Sequence, residues 1–186
     1  MIAGIILAAG ESRRMGQPKQ LLRIGSQTML QRVVDAALSS RLDAVYVVIG
    51  YRAGEIKASI NGKVTFVENA AYEEGLGSSV RAGVAVLPDD AQAAVFLLAD
   101  QPGITAAAID QLLAPSTPEN IVVASVGGER RSPAVFGRRW FAELARASGD
   151  AGGRHIIGGH PEAVILVETK TDLRDADTPE DLAALS

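Results

Sequence analysis

Six apolar runs of strand length punctuate the chain, at residues 2–9, 44–49, 63–68, 93–99, 121–126 and 163–168. They are rich in β-branched residues, and near-continuous runs of this kind mark strands buried on both faces. Between them the period changes. Leu30, Val33, Val34, Ala37 and Leu38 recur at i, i+3, i+4, i+7 and i+8 behind a cap at Ser26 or Thr28, which predicts a helix. A second helix is predicted over 78–87 with Ser78 or Ser79 near its cap, a third around Ile109, Leu112 and Leu113 after Thr105, and a fourth around Trp140, Phe141 and Leu144. Asp177-Thr178-Pro179-Glu180-Asp181 is a start signal for a last helix, with Pro in the first turn and acids at the positive end of the dipole. Residues 115–135, broken by Pro115, Pro118, Gly127, Gly128 and Pro133, are irregular and leave room for an antiparallel excursion. The alternation predicts an α/β fold with a mostly parallel central sheet covered on both faces. No repeat or linker interrupts it, so residues 1–186 are expected to form a single domain.

Composition narrows the class. Hydrophobic residues make up 47% and charged residues 22%, as in ordinary globular chains, while aromatics are only 4%. No run reaches the eighteen or so apolar residues of a membrane span, and the start lacks a basic n-region, so a cytoplasmic protein is expected. With no cysteine, thiolate metal sites and cysteine nucleophiles are excluded. A net charge of −4 argues against general affinity for nucleic acid. The charge is uneven, however: Arg13, Arg14 and Lys19 lie near the start, and Asp172, Asp175, Asp177, Glu180 and Asp181 near the end. If the fold joins the ends, cations and carboxylates share one site. Otherwise the acids are a solvated tail.

In open α/β sheets the ligand crevice lies outside the carboxyl ends of the strands. That directs attention to the loops 10–20, 69–79 and 99–104. The first joins bare backbone at Ala8, Ala9 and Gly10 to the cations Arg14 and Lys19, the two things a polyphosphate asks of a protein. It is not a Walker A loop, because Lys19 follows Gln17-Pro18 rather than Gly, and no G-x-G-x-x-G follows the first strand. In the third loop, Asp100 stands just past a fully apolar strand, where an ionised carboxylate needs a partner or a cation. Its alternative role is to cap the helix near Thr105. Asp177 and Asp175 are the candidate second carboxylates, with helix capping as the rival role for Asp177. His155 and His160 lack partners at ligand spacing, and Trp140 reads as core.

The run Leu-Ala-Ala-Gly-x-Ser-x-Arg-Met-Gly-x-Pro-Lys-x-Leu-Leu over 7–22 resembles the signature of Rossmann-like nucleotidyltransferases, most closely the molybdenum-cofactor branch. Ala99-Asp100-Gln101-Pro102 resembles that family's metal motif, Gly75 through Gly83 its segment against the nucleotide, and Asp175 through Asp181 its closing run. The resemblance implies a three-layer Rossmann-like fold, with Leu7, Ala8, Ala9, Gly10, Arg14, Lys19, Gly75, Ser78 and Ser79 binding nucleotide. It implies catalytic roles for Arg14, Lys19 and Asp100, and Mg²⁺ held by Asp100 and Asp177, with Asp175 the alternative ligand. Ser148 through Arg154 is similar to a segment of the cofactor-specific branch, with Gly153 where Ala is usual. By that likeness Asp150 and Arg154 bind the acceptor, and Arg130 through Phe136 lines the same side. Arg81 either reaches phosphate or makes a surface pair.

The implied reaction is transfer of CMP from CTP to the terminal phosphate of molybdopterin or molybdenum cofactor, releasing pyrophosphate, with a molybdoenzyme as eventual recipient. Leu-Ala-Ala-Gly resembles cytidylyltransferases and Leu-Ala-Gly-Gly guanylyltransferases, so Ala9 favours CTP over GTP. Two rivals stay open: a nucleotidyltransferase acting on a sugar or alditol phosphate, and a non-catalytic nucleotide-binding cofactor chaperone.

Overall fold

The computed structural model describes residues 1–11, 18–176 and 181. All six predicted strands form: β1 (Ile2–Leu7), β4 (Ala44–Ile49), β5 (Thr65–Glu68), β6 (Ala93–Leu98), β7 (Ile121–Val126) and β9 (Val164–Glu168). They join β8 (Glu129–Gly137) in a seven-stranded sheet of order β5-β4-β1-β6-β8-β7-β9. β8 is the antiparallel excursion; it runs against both β6 and β7, whereas the remaining pairings are parallel. A two-residue-per-strand hairpin, β2 (Arg23–Ile24) with β3 (Gln27–Thr28), follows the first loop and was too short to read from pattern.

Helix α1 (Met29–Leu38) begins where Thr28 Oγ1 accepts from the Gln31 amide at 3.1 Å, and it buries Leu30, Val33, Val34 and Ala37. Helix α2 (Ala53–Ser59) escaped the sequence reading because Ile56 is its single buried residue, which leaves no apolar stripe. Helix α4 (Ala106–Leu113) is capped by Thr105, so the capping role considered for Asp100 belongs to Thr105 instead. These three helices share a core with Ile6, Ala8, Val47, Leu97 and Val122 on one face of the sheet. Helices α3 (Leu76–Ala85), α5 (Phe141–Leu144) and α6 (Arg154–Gly159) cover the other face through Val80, Leu144 and Ile156, against Ile5, Leu7, Ala9, Phe96 and Phe136. Trp140 is buried in this second core. Each fully buried aliphatic side chain contributes roughly 1.5–3 kcal/mol, and the strands supply them to both faces in alternation.

The chain leaves β1 for β4 through α1 on one face and returns from β5 to β6 through α3 on the other. The winding therefore reverses beside β1, and the carboxyl ends of β1 and β6 (Leu7 opposite Leu98) open a crevice there.

At the far edge Glu168 ties β9 to the β7–β8 turn. Its carboxylate accepts from Ser125 Oγ at 2.6 Å and from the Gly127 and Gly128 amides at 2.5 and 3.2 Å. These bonds, Ser125 first, hold the carboxyl below its ordinary 4.5. Because the folded value is the lower one, the stabilisation is present above 4.5 and is lost as pH falls through the folded value. A Glu168→Gln variant is expected to melt below wild type at pH 7, the gap closing on acidification. Thermal melts across pH check this, and a gap independent of pH would refute it.

Candidate active site

β1 stays bonded to both neighbours to its end. The Ala8 amide donates to Val48 O at 2.8 Å, Leu7 O accepts from Ala99 at 3.2 Å, and Ala9 O accepts from Tyr51 at 3.1 Å. Strand alternation carries on through these residues, so Ala8 packs with the α1 face while Ala9 faces the α3 side. The loop opens at Gly10 and is clamped on its return by Gln20. This buried side chain donates to Ala8 O at 3.0 Å and to Gly10 O at 2.9 Å. Gln20 was missed in the sequence because a glutamine next to a lysine reads as surface.

Lys19 reaches across the crevice to Asp100, with Nζ 2.8 Å from Oδ2. Both side chains are largely covered, at 14% and 26% exposure, so the charges neutralise each other in a partly dry setting. Asp100 is held from behind by the terminal segment. The Ala176 amide donates to Asp100 O at 2.9 Å, and the buried Gln101 donates to Leu173 O at 3.0 Å and Asp175 Oδ1 at 2.8 Å. The fold thus brings the two ends of the chain together, with Asp175 beside the Asp100 loop. Arg13, Arg14 and Asp177 lie outside the described residues. Among the described residues no group of three His, Asp or Glu side chains gathers.

Helix α3 corrects one expectation. It begins at Leu76 behind Gly75, so Ser78 and Ser79 lie inside its first turn rather than capping it. Asn69 Nδ2 donates to Ser78 Oγ at 2.9 Å and Ser79 Oγ at 3.1 Å, and Ser78 Oγ donates back to Gly75 O at 2.8 Å. Ser79 still lines the crevice, whereas Ser78 lies behind its wall. Arg81 makes the surface pair, 2.6 Å from Glu74, and also donates to Ala147 O at 2.6 Å.

Two cavities share Leu98. The smaller, about 340 Å³, is walled by Leu7, Ala9, Gly10, Lys19, Gly75, Ser79, Asp100 and Asp150. The larger, about 740 Å³, carries Arg130, Arg131, Arg154 and Arg174 around Val123, Ala134 and Ile157. Consecutive residues face the two spaces: Asp100 the smaller and Gln101 the larger. The structure therefore separates the two residues first assigned to an acceptor. Arg154, at the start of α6, lines the larger cavity, and Asp150 lines the smaller one. Of the four guanidiniums, Arg131 pairs with Glu129 at 2.5 Å and Arg174 with Asp172 at 2.6 Å. That last bond, ahead of any other cause, holds the Asp172 carboxyl below its ordinary range. Gly153 also finds its reason, since a methyl there would stand 2.7 Å from Phe136 Cζ. His155 is exposed, and His160 rests on Trp140 beside Glu143 and Glu162.

Residues 4–164 match the family model described as the MobA-like NTP transferase domain. The chain belongs to that family. It is 35% identical to the purine catabolism protein PucB of Bacillus subtilis over 97% of this chain and 93% of that one. It is also 29% identical to the nicotine blue oxidoreductase of Paenarthrobacter nicotinovorans, over 99% and 96%. Among solved structures it is similar to Rv0371c of Mycobacterium tuberculosis H37Rv in complex with manganese, at 28% identity and a TM-score of 0.81, over 99% of this chain and 96% of that one. The three-layer, mostly parallel sheet is the Rossmann-like nucleotidyltransferase fold that the motifs implied.

The Gln20 clamp gives a stability test. Gln20→Ala strips a donor from two carbonyls at once, and an unsatisfied buried acceptor costs about 1–3 kcal/mol. A loss of that size in urea unfolding is expected for Gln20→Ala and for the size-matched Gln20→Met alike. A fully stable Gln20→Met would show that volume, not hydrogen bonding, is what position 20 supplies.

Proposed function

We propose that this chain transfers CMP from CTP to the terminal phosphate of molybdopterin or molybdenum cofactor, releasing pyrophosphate, with Mg²⁺ as the accompanying cation. The observation that carries the reading is the Lys19–Asp100 pair, set where a nucleotide-sized cavity adjoins an arginine-lined one. The donor set fits magnesium. That ion takes one or two carboxylates and completes its shell with phosphate oxygens and water, so Asp100 with one acid of the terminal segment, Asp175 or Asp177, suffices. The manganese complex of Rv0371c supports a divalent cation on this fold. Bound there, the cation would supply charge neutralisation on the phosphate oxygens.

The chain's own residues would do the rest. The open backbone at Ala9 and Gly10 leaves room for the nucleoside, and Lys19, with Arg14 by family likeness, offers cationic donors to the β- and γ-phosphates. Arg130 and Arg154 would hold the acceptor anion in the adjoining cavity, whose apolar floor of Val123, Ala134 and Ile157 suits a flat organic body. An oxygen of the acceptor phosphate then bonds to the α-phosphorus as the bond to the bridging oxygen breaks, and pyrophosphate leaves with the electron pair. The attacking oxygen is already ionised at neutral pH, so no general base is required. Positioning and charge are the whole contribution.

The reading is tested by pyrophosphate release with CTP, Mg²⁺ and molybdopterin. Wild type is expected to turn over, and Asp100→Ala to lose on the order of 10²-fold or more in kcat. No release with any triphosphate would overturn transfer in favour of a binding or chaperone role. Release with a sugar or alditol phosphate, and none with molybdopterin, would overturn the acceptor. The relative named nicotine blue oxidoreductase makes reduction of nicotine blue a necessary parallel assay, expected to be negative.

Base choice has its own test. The Ala9 methyl lies on the cavity side of β1, where it would crowd a purine. CTP is expected to raise the melting temperature more than GTP. Ala9→Gly should shift the ratio toward GTP on the order of tenfold, the usual weight of one methyl in a pocket. A wild-type preference for GTP would reverse this assignment.

A further inference from the structure

The smaller cavity holds a second carboxylate that the transfer reading leaves without a task. Asp150 is exposed, on the short turn Gly149–Ala151, and this turn is pressed onto the start of α3. A Cβ at Gly77 would stand 2.6 Å from Ser148 N and Cα, so only a glycine lets the two backbones meet. Gly75, at φ +96°, does the same for the carboxylate: a Cβ there would lie 2.5 Å from Asp150 Oδ1. Two glycines thus seat Asp150 in the wall that also carries Ser79 and Leu76. Among the described residues its carboxylate has no ion pair and accepts no hydrogen bond.

We infer that Asp150 is a specificity-determining residue for the nucleotide rather than an acceptor contact, taking a hydrogen bond from an N–H or O–H donor of the nucleoside. The inference rests on the smaller cavity being the nucleotide site. An ionised carboxylate only accepts, and it repels phosphate. Lys19, the cation of this cavity among the described residues, comes from a different wall. A nucleotide is likewise polarised, anionic along its phosphates and donor-bearing at its ribose hydroxyls and, for cytosine, its exocyclic amine. Phosphates toward Lys19 and donors toward Asp150 is the one orientation in which both charges are satisfied. Either donor meets the same chemistry, since acidic side chains accept from ribose hydroxyls and from the cytosine amine alike.

Calorimetric titration of the full chain with Mg²⁺ and nucleotide, without acceptor, tests this directly. Wild type is expected to bind CTP about tenfold or more tighter than the analogue lacking the relevant donor: UTP if the amine is read, 2′,3′-dideoxy-CTP if the ribose is read. Asp150→Ala and the isosteric Asp150→Asn should weaken CTP, leave that analogue unchanged and so erase the discrimination, with the melting temperature unmoved. Unchanged discrimination in both variants overturns the inference, and if the same variants then raise the molybdopterin KM in the pyrophosphate-release assay, Asp150 returns to the acceptor. If wild type binds no triphosphate at all, the nucleotide reading of the cavity fails instead, which is a separate result.

Discussion

The ion pair between Lys19 and Asp100 joins the two strand ends on which everything else in the candidate site is hung. β1 and β6 are neighbours in register, so the loops that leave them emerge side by side, and one contributes a cation and the other an anion. Both charges are largely covered but keep contact with solvent, and a single contact at 2.8 Å joins Lys19 Nζ to Asp100. The pair is therefore strong enough to set the loops against each other and weak enough to be exchanged. On the proposed reading a triphosphate offers Lys19 more negative charge than one carboxylate does. Nucleotide binding would then free Asp100 as the accompanying cation arrives, and a cation alone would have to displace Lys19 first.

The frame around this soft contact is stiff, and two glutamines account for much of that. Each follows a charged residue in the chain: Gln20 after Lys19, Gln101 after Asp100. Gln20 ties the first loop to the end of β1, and Gln101 ties the Asp100 loop to residues 173 and 175. Both amides are buried and bonded, and no buried side-chain nitrogen or oxygen among the described residues lacks a partner. A buried amide with all its bonds made fixes one geometry, because any displacement leaves polar groups unpaired.

What the sequence disclosed follows from the same division. Central strands covered on both faces must be apolar throughout, so β1, β4, β6 and β7 showed as runs, while the edge strands β5 and β9 showed as runs although they are partly exposed. Helices α1 and α4 announced themselves by period and by the Thr28 and Thr105 caps. The motifs located Lys19 and Asp100, but no spacing could tell that they touch. Ser78 and Ser79 were misplaced because a serine before an apolar stretch looks like a cap, while here Asn69 bonds both side chains and Gly75 stands at the N-cap of a helix that begins at Leu76. Gln20 left no trace and Gln101 appeared only as a member of the Ala99–Pro102 motif with no task of its own, since glutamine is ordinarily exposed and only the folded chain shows what their amides hold. Asp150 and Arg154 are four residues apart but line different cavities, Asp150 from the turn packed on α3 and Arg154 from the start of α6.

β8 is the antiparallel excursion for which residues 115–135 left room, but its pattern did not mark it as a strand. Its first residues, Glu129 through Ser132, are polar and precede a proline, which reads as loop, yet they continue a strand in the middle of the sheet. Direction explains the contradiction. A parallel strand in that place would begin at the amino edge, far from the crevice. An antiparallel one begins at the carboxyl edge, beside the end of β6, and so delivers Arg130 and Arg131 to the larger cavity. Those side chains do not obey the apolar pattern of a buried strand, because they line a polar cavity, on the proposed reading the acceptor's, rather than the core. The local rule fails where the strand stops serving the core and starts serving the site.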